Sequence, residues 1–121
     1  MPWHPCNNIA QVIIVYTLVP TGVITHPATQ TIVEGGNATF RCIVYNKTET
    51  TLVAIGWEKL DSDGLVYYIL TGPRYYYSMD TQILTITNVS FEDAGDYYCV
   101  VYRRNPDSEE RGNHSTLDVI G

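Results

Sequence analysis

The stretch Asp93-Ala94-Gly95-Asp96-Tyr97-Tyr98-Cys99 decides the fold of this 121-residue chain. A tyrosine two residues before a cysteine can turn its hydroxyl back onto nearby backbone at the corner where a strand begins. Upstream stand another cysteine, Cys42, and a tryptophan, Trp57. Two antiparallel sheets packed about 10 Å apart leave a core that one cystine can cross and one indole can fill. These residues therefore predict an all-β sandwich of two sheets.

The same residues resemble an immunoglobulin-superfamily domain, and the resemblance extends over residues 23–121. It implies an antiparallel β-sandwich of Greek-key topology with one inter-sheet disulfide, Cys42–Cys99. It also implies a structural ion pair, because variable and intermediate immunoglobulin sets place an arginine and an aspartate where this chain has Arg74 and Asp93.

Two segments narrow the subtype that the resemblance implies. Residues 71–73 are too few to hold the extra strand of a full variable domain, which favours an intermediate type or a trimmed variable type. Residues 112–115 lack the Phe/Trp-Gly-x-Gly bulge of antigen receptors. The chain is therefore not expected to be an antigen-receptor variable domain.

Alternation of apolar and polar residues with period two locates the strands. It places four side chains in the core: Trp57, Tyr97, Leu84 and Ile86. Helical periodicity is limited to one predicted turn near Phe91. Strands are predicted over 29–33, 38–45, 52–60, 65–70, 74–79, 82–88 and 116–120, with one more through Cys99.

The same alternation places another set of side chains, on the strand through Cys99 and on the strand 52–60, on the side of their sheet that faces away from the core. Apolar side chains facing water on adjacent strands mark protein–protein sites. Immunoglobulin-like domains commonly use this face, named GFCC′, together with the loop before the last strand. We therefore expect a protein partner, homophilic or heterophilic, to contact Tyr98, Val100, Tyr102, Leu60, Arg103 and Arg104.

Charge and glycosylation motifs point to an extracellular location. The formal net charge is −6, which argues against a nucleic-acid or anionic-membrane surface. A disulfide persists only in an oxidising compartment. The motif Asn-x-Ser/Thr, which accepts N-linked glycans, occurs at Asn37, Asn46, Asn88 and Asn113.

The first 22 residues allow two interpretations. The apolar run 9–19 has the length of a signal-peptide core, but no basic residue precedes it. It could instead form an extra strand or an irregular segment. Cys6 would be removed with a signal peptide, or would remain as a candidate for a disulfide between two molecules. No run reaches the eighteen apolar residues of a membrane span, so we expect a secreted domain or part of a longer receptor.

Catalytic chemistry has little support in the sequence. The three histidines are scattered, and no cluster has metal-ligand spacing, so no metal or cofactor is expected. No serine or cysteine stands in a nucleophile motif. The prediction is an extracellular recognition domain that is not an enzyme. Two alternatives remain: a structural spacer within a multi-domain ectodomain, and a glycan-binding module.

Overall fold

A computed structural model describes residues 22–45, 51–78, 80–104 and 107–121. Of residues 51–53 it describes the backbone only. Within these residues the regular structure is almost entirely strand, with one 3-10 turn at Phe91–Asp93, where a helical turn was predicted. The strands are β1 (Val23–His26), β2 (Thr29–Val33), β3 (Ala38–Val44), β4 (Thr51–Leu60), β5 (Val66–Tyr68), β6 (Tyr75–Tyr77), β7 (Ile83–Ile86), β8 (Gly95–Arg104), β9 (Ser108–Arg111) and β10 (Ser115–Ile120).

The strands form two sheets. One has four strands in the order β1-β3-β7-β6. The other has six, in the order β2-β10-β8-β4-β5, with β9 also beside β8. All pairs are antiparallel except β2 and β10. The Cys42–Cys99 disulfide joins β3 of the four-stranded sheet to β8 of the six-stranded sheet, and the predicted all-β sandwich is confirmed.

The start of the domain differs from the sequence-based prediction. Only 29–33 was expected as a first strand, but β1 precedes it and pairs with β3, whereas β2 pairs with β10. The chain therefore crosses from one sheet to the other at Pro27 and Ala28. A four-residue strand is too short to give a clear period-two pattern, although Val23 and Thr25 are both buried. The predicted N-terminal segment 1–22 lies outside the described residues except for Gly22.

The core lies between the sheets, around the disulfide. The Phe40 ring lies 4.8 Å from the Tyr97 ring and 6.3 Å from the Trp57 ring, centroid to centroid. The Trp57 indole donates a hydrogen bond to the carbonyl of Thr81 at 3.0 Å, so its polar atom is satisfied. Leu84 and Ile86 are fully buried beside this group. Each buried side chain of this size contributes about 2 kcal/mol through removal of apolar area from water.

The connection between the last two predicted strands contains a strand, β9, that the sequence did not predict. β8 continues to Arg104, and β9 returns beside it with Val100 opposite Arg111 and Tyr102 opposite Glu109. β9 and β10 thus lie one after the other along the same side of β8, opposite β4. Where the structure describes the chain, no helix is long and apolar enough to cross a bilayer.

Candidate recognition face

The outward face of the six-stranded sheet is built from side chains that alternate with the core. Tyr97, Cys99 and Val101 of β8 belong to the core cluster, whereas Tyr98 and Val100 do not. Across neighbouring strands, Glu58 of β4 lies between Tyr68 of β5 and Tyr98 of β8. The direction predicted for these side chains therefore agrees with the structure.

Two of the predicted contact side chains, Tyr98 and Val100, are not exposed as was predicted. Tyr98 is only 5% exposed and Val100 is 0% exposed. The ring of His114 stacks on Tyr98 with centroids 4.8 Å apart, and β9 places Arg111 opposite Val100. Neighbours on the outward side therefore cover both residues, and neither is available for a partner.

A buried ion pair lies at the centre of this face. The Glu58 carboxylate accepts from Arg111 Nε and Nη2, at 3.4 Å each. The Glu58 side chain is 3% exposed, while that of Arg111 is 45% exposed. Burial and then the hydrogen bond to Glu58 raise the pKa of the Tyr98 phenol. The pair neutralises a carboxylate that burial alone would make costly.

Tyr102 is the half-buried aromatic side chain of this face. A Cβ built on Gly56 would lie 3.3 Å from Tyr102 Cε2, so the ring rests on a strand position that has no side chain. Burial, followed by the nearby Tyr68 and Glu58, raises the pKa of Tyr102. Tyr102 is thus supported from below and still reaches solvent, as was predicted for it.

The largest group of exposed apolar side chains lies on and beside β5, the edge strand. We call it the edge strip, and its members are Leu65, Val66, Tyr67, Tyr68 and Leu70. Their exposed fractions run from 48% for Tyr67 to 77% for Leu70. Leu60, a predicted contact residue, is half-buried and pairs with Val66. The apolar character of 65–70 was the sequence signal for this strip, although its members were not singled out individually.

Acidic side chains lie at both ends of the face. At the β4–β5 turn, Asp61 Oδ1 accepts from the backbone N–H groups of Asp63 and Leu65 at 2.9 and 3.0 Å. The Leu65 bond is the main cause that lowers the pKa of Asp61. Glu109 is exposed beside Tyr102. The apolar face therefore carries negative charge at its rim.

The two predicted arginines of the hairpin differ in accessibility. Arg103 is buried, and its Nη2 lies 3.4 Å from Glu110 Oε1. Arg104 is exposed at the end of β8. Because the hairpin packs Arg103 against its own strands, the prediction that Arg103 contacts a partner is wrong. Arg104 stays a predicted contact residue.

A separate ionic cluster closes one end of the sandwich. Arg74 Nη1 donates to Asp93 Oδ2 at 2.8 Å, and Nη2 donates to Oδ1 at 3.1 Å. The Tyr97 hydroxyl donates to the Asp93 carbonyl at 2.6 Å, which is the backbone contact that its position before Cys99 predicts. Burial of Asp93 is outweighed by hydrogen bonds from Arg74, Ser90 and Tyr75, which bring the pKa of Asp93 down to about 2.

The structure also bears on possible metal and glycan sites. Within the described ranges, no three histidine, cysteine, aspartate or glutamate side chains come together to hold a metal ion. Asn37, Asn88 and Asn113 are exposed, and Asn46 lies outside the described residues.

Comparison with known proteins agrees with this architecture. Residues 21–102 match the family model described as an immunoglobulin domain. Fibroblast growth factor receptor 1 of Pleurodeles waltl is 33% identical over 81 residues, which are 61% of this chain. That segment is 10% of the receptor, so the chain spans about a tenth of this relative's length. With two disulfide-joined sheets and a family match over most of its length, the chain belongs to the immunoglobulin superfamily.

Proposed function

We propose that this domain is an extracellular recognition module that binds another protein through the outward face of its six-stranded sheet. The contact surface comprises the edge strip, Tyr102 and Leu60. Because acidic side chains border it, the partner is a protein that presents an apolar anchor flanked by lysine or arginine side chains. Arg104 lies at the hairpin end of the same surface.

The observation that carries this proposal is the edge strip itself. Exposed apolar residues are ordinary when scattered, but contiguous ones mark interaction surfaces. Tyr68, the most exposed tyrosine of the strip, has two-thirds of its surface in water. Val66 and Tyr68 lie opposite Leu60 and Glu58 on the outward side of the sheet. The packing of the core therefore does not require these two side chains to be apolar.

The rest of the face is suited to hold tyrosine anchors in place. Tyr102 rests on Gly56, and the Glu58–Arg111 pair keeps the central charges neutral. Tyrosine loses little conformational entropy on binding, and a few such anchors supply most of the free energy of an interface. The favourable contacts would therefore come from Tyr68 and Tyr102, with the strip excluding water around them.

The setting that we propose is a cell-surface receptor, an adhesion molecule or a secreted binder. The similarity to a segment of a protein named as a growth factor receptor supports this setting. The inter-sheet disulfide supports it as well, because such a bond persists in oxidising compartments.

The test uses matched tyrosine variants and a panel of purified ectodomains that includes the chain itself. Tyr68→Ala and Tyr102→Ala should each weaken binding to the recognised panel member by about tenfold or more. Tyr76→Ala is the control, since Tyr76 is also about half exposed but lies on β6 of the other sheet. Surface plasmon resonance measures the affinities, and circular dichroism checks that each variant is folded.

The acidic rim adds a second readout. Raising the salt concentration from 50 to 500 mM, roughly, should slow association, because rim charges act mainly on the on-rate. Equal loss of binding in the Tyr76 variant would contradict the proposed face. Failure of every panel member and of the chain itself to bind would favour the structural spacer.

A further inference from the structure

We propose that the folded, secreted protein carries N-linked glycans at Asn37 and Asn88 and none at Asn113. The Asn113 side chain instead serves as a substitute strand partner for β1. All three asparagines stand in the same motif, Asn-x-Ser/Thr, and the sequence alone does not separate them. The distinction comes from what each side-chain amide contacts.

Both ends of the Asn113 amide are bound to one residue of β1. Thr25 N–H donates to Asn113 Oδ1 at 2.9 Å, and Asn113 Nδ2 donates to the Thr25 carbonyl at 3.0 Å. The amide thus pairs with Thr25 as the backbone of a neighbouring strand would. It links the four-stranded sheet to the segment between β9 and β10 of the six-stranded sheet.

This pairing uses the hydrogen atom that a glycan would replace. An amide that meets an N–H and a C=O of one residue must present its oxygen and the N–H on the same side as that oxygen. A substituted amide is planar and prefers the trans arrangement, which places the substituent on that same side of the nitrogen. A sugar on Asn113 Nδ2 would therefore occupy the position of the hydrogen bonded to Thr25.

The surroundings leave the pair little freedom to rearrange. Thr25 is almost fully buried, and its Oγ1 accepts from Cys99 N–H at 3.2 Å. A Cβ built on Gly112 would lie only 2.6 Å from Thr25 Oγ1, so the chain beside Asn113 is already in close contact with β1. Gly112 N–H also donates to the Cys99 carbonyl at 2.9 Å.

The side chains of Asn37 and Asn88 are not paired with another strand in this way. Both are exposed, and among the described residues no hydrogen bond involves either side-chain amide. They lie near each other at one end of the sandwich, where Val89 N–H donates to the Gly36 carbonyl at 2.9 Å. Glycans there would project from this end of the domain.

N-glycosylation requires a side-chain amide nitrogen that can bond to the sugar. The amide nitrogen forms a bond to the anomeric carbon of a lipid-pyrophosphate-linked oligosaccharide, and the carbon–oxygen bond to phosphate breaks. The lipid pyrophosphate leaves with the bonding electrons, and the nitrogen loses one proton to the transferase. Because this occurs on the chain before or during folding, a sugar added at Asn113 would oppose the docking of β1.

The first test reads occupancy directly. The full chain is secreted from cultured eukaryotic cells behind an added leader, and the folded fraction is treated with N-glycanase in ¹⁸O-water before peptide mapping. We expect ¹⁸O-aspartate at positions 37 and 88 and unmodified asparagine at 113, against an untreated control for deamidation. Label at position 113, or its absence from position 37 or position 88, would overturn the proposal.

The second test reads the structural role of Asn113. Asn113→Ala should lower the melting temperature by about 5 °C or more, because the buried backbone of Thr25 loses two hydrogen bonds. Exchange of the Thr25 amide hydrogen should accelerate by about tenfold or more. Asn37→Ala is the control. Both variants are refolded from bacterial expression, which adds no N-glycans, so Asn37→Ala should leave both values nearly unchanged. Equal stability of the two variants would overturn the pairing role, whichever partner the recognition face binds.

Discussion

Two buried carboxylates of this domain, Asp93 and Glu58, invite comparison because their exposure is so similar. Each side chain is 3% exposed, and each is paired with an arginine that reaches solvent, Arg74 at 35% and Arg111 at 45%. One pair closes the end of the sandwich, whereas the other lies in the middle of the proposed recognition face. Burial alone does not distinguish them.

What distinguishes them is the number and length of their hydrogen bonds. Asp93 accepts from Arg74 at 2.8 and 3.1 Å, from Ser90 N–H at 2.8 Å and from the Tyr75 hydroxyl at 2.9 Å. Glu58 has Arg111 at 3.4 Å and the Tyr98 phenol. The Asp93 carboxylate therefore has a backbone N–H among its donors. The Glu58 carboxylate is held only by the side chains of Arg111 and Tyr98 among the described residues.

The largest expected effect is the loss of Asp93. Asp93→Ala should lower the free energy of unfolding by about 3 kcal/mol or more, because breaking a buried pair leaves the remaining groups unsatisfied. Arg74 would stay in place, since its Nη1 also donates to the carbonyls of Thr87 and Asn88. Urea denaturation with the disulfide intact measures the change. A loss below about 1 kcal/mol would contradict the structural role of the pair.

The same carboxylate predicts a sensitivity to acid. The folded-state pKa of Asp93 is about 2, below its ordinary value of 3.8. Its unfolded form therefore binds the proton more readily, so its contribution is complete above pH 4, roughly, and is lost as the pH falls toward 2. The loss should be about 2 kcal/mol. Urea curves at stepwise pH measure it, and Asp93→Asn should lack this component; an unchanged acid response in that variant would contradict it.

The contrast between these two sites also shows what the sequence could predict. Arg74 and Asp93 were expected to pair because the family motif fixes both positions, and the geometry of the motif is local to one end of the sandwich. Glu58 and Arg111 are 53 residues apart and belong to no motif. Their pairing depends on β9, which the sequence did not reveal because a charged, polar stretch resembles a loop.

A similar reason explains the outcome for Tyr98 and Val100. Period-two alternation reports on which side of the strand a side chain lies, and it placed both correctly outside the core. It carries no information about what covers that side. The residues that cover Tyr98 and Val100 are His114 and Arg111. Both lie more than ten positions further along the sequence and become neighbours of Tyr98 and Val100 only in the folded sheet. Core positions such as Trp57 and Tyr97 lack this ambiguity, since the opposite sheet always covers them.

A smaller effect is expected at Glu58. Glu58→Gln keeps the shape and one acceptor, so it should lower the free energy of unfolding by about 1 kcal/mol. Arg111 can turn to solvent when its partner is lost, which limits the cost. The thermal unfolding transition measures the change, with Asp93→Asn as the matched amide replacement. If the two amide variants lose equal stability, the difference between the pairs is not energetic.

The smallest expected effect is the coupling between Glu58 and Arg111 themselves. A double-mutant cycle of Glu58→Gln and Arg111→Met should give a coupling free energy of about 0.5–1 kcal/mol, because the arginine is partly solvated. The corresponding cycle of Asp93→Asn and Arg74→Met should give a clearly larger value, since both charges there are fixed by further hydrogen bonds. Salt at about 0.5 M should reduce the first coupling more than the second, because exposed charges are screened more strongly. A coupling at Glu58 that equals the one at Asp93 and resists salt would mean that the proposed recognition face is as rigid as the closed end. The Glu58–Arg111 pair would then keep its geometry when a partner binds, and binding would rely on the tyrosine anchors and the acidic rim.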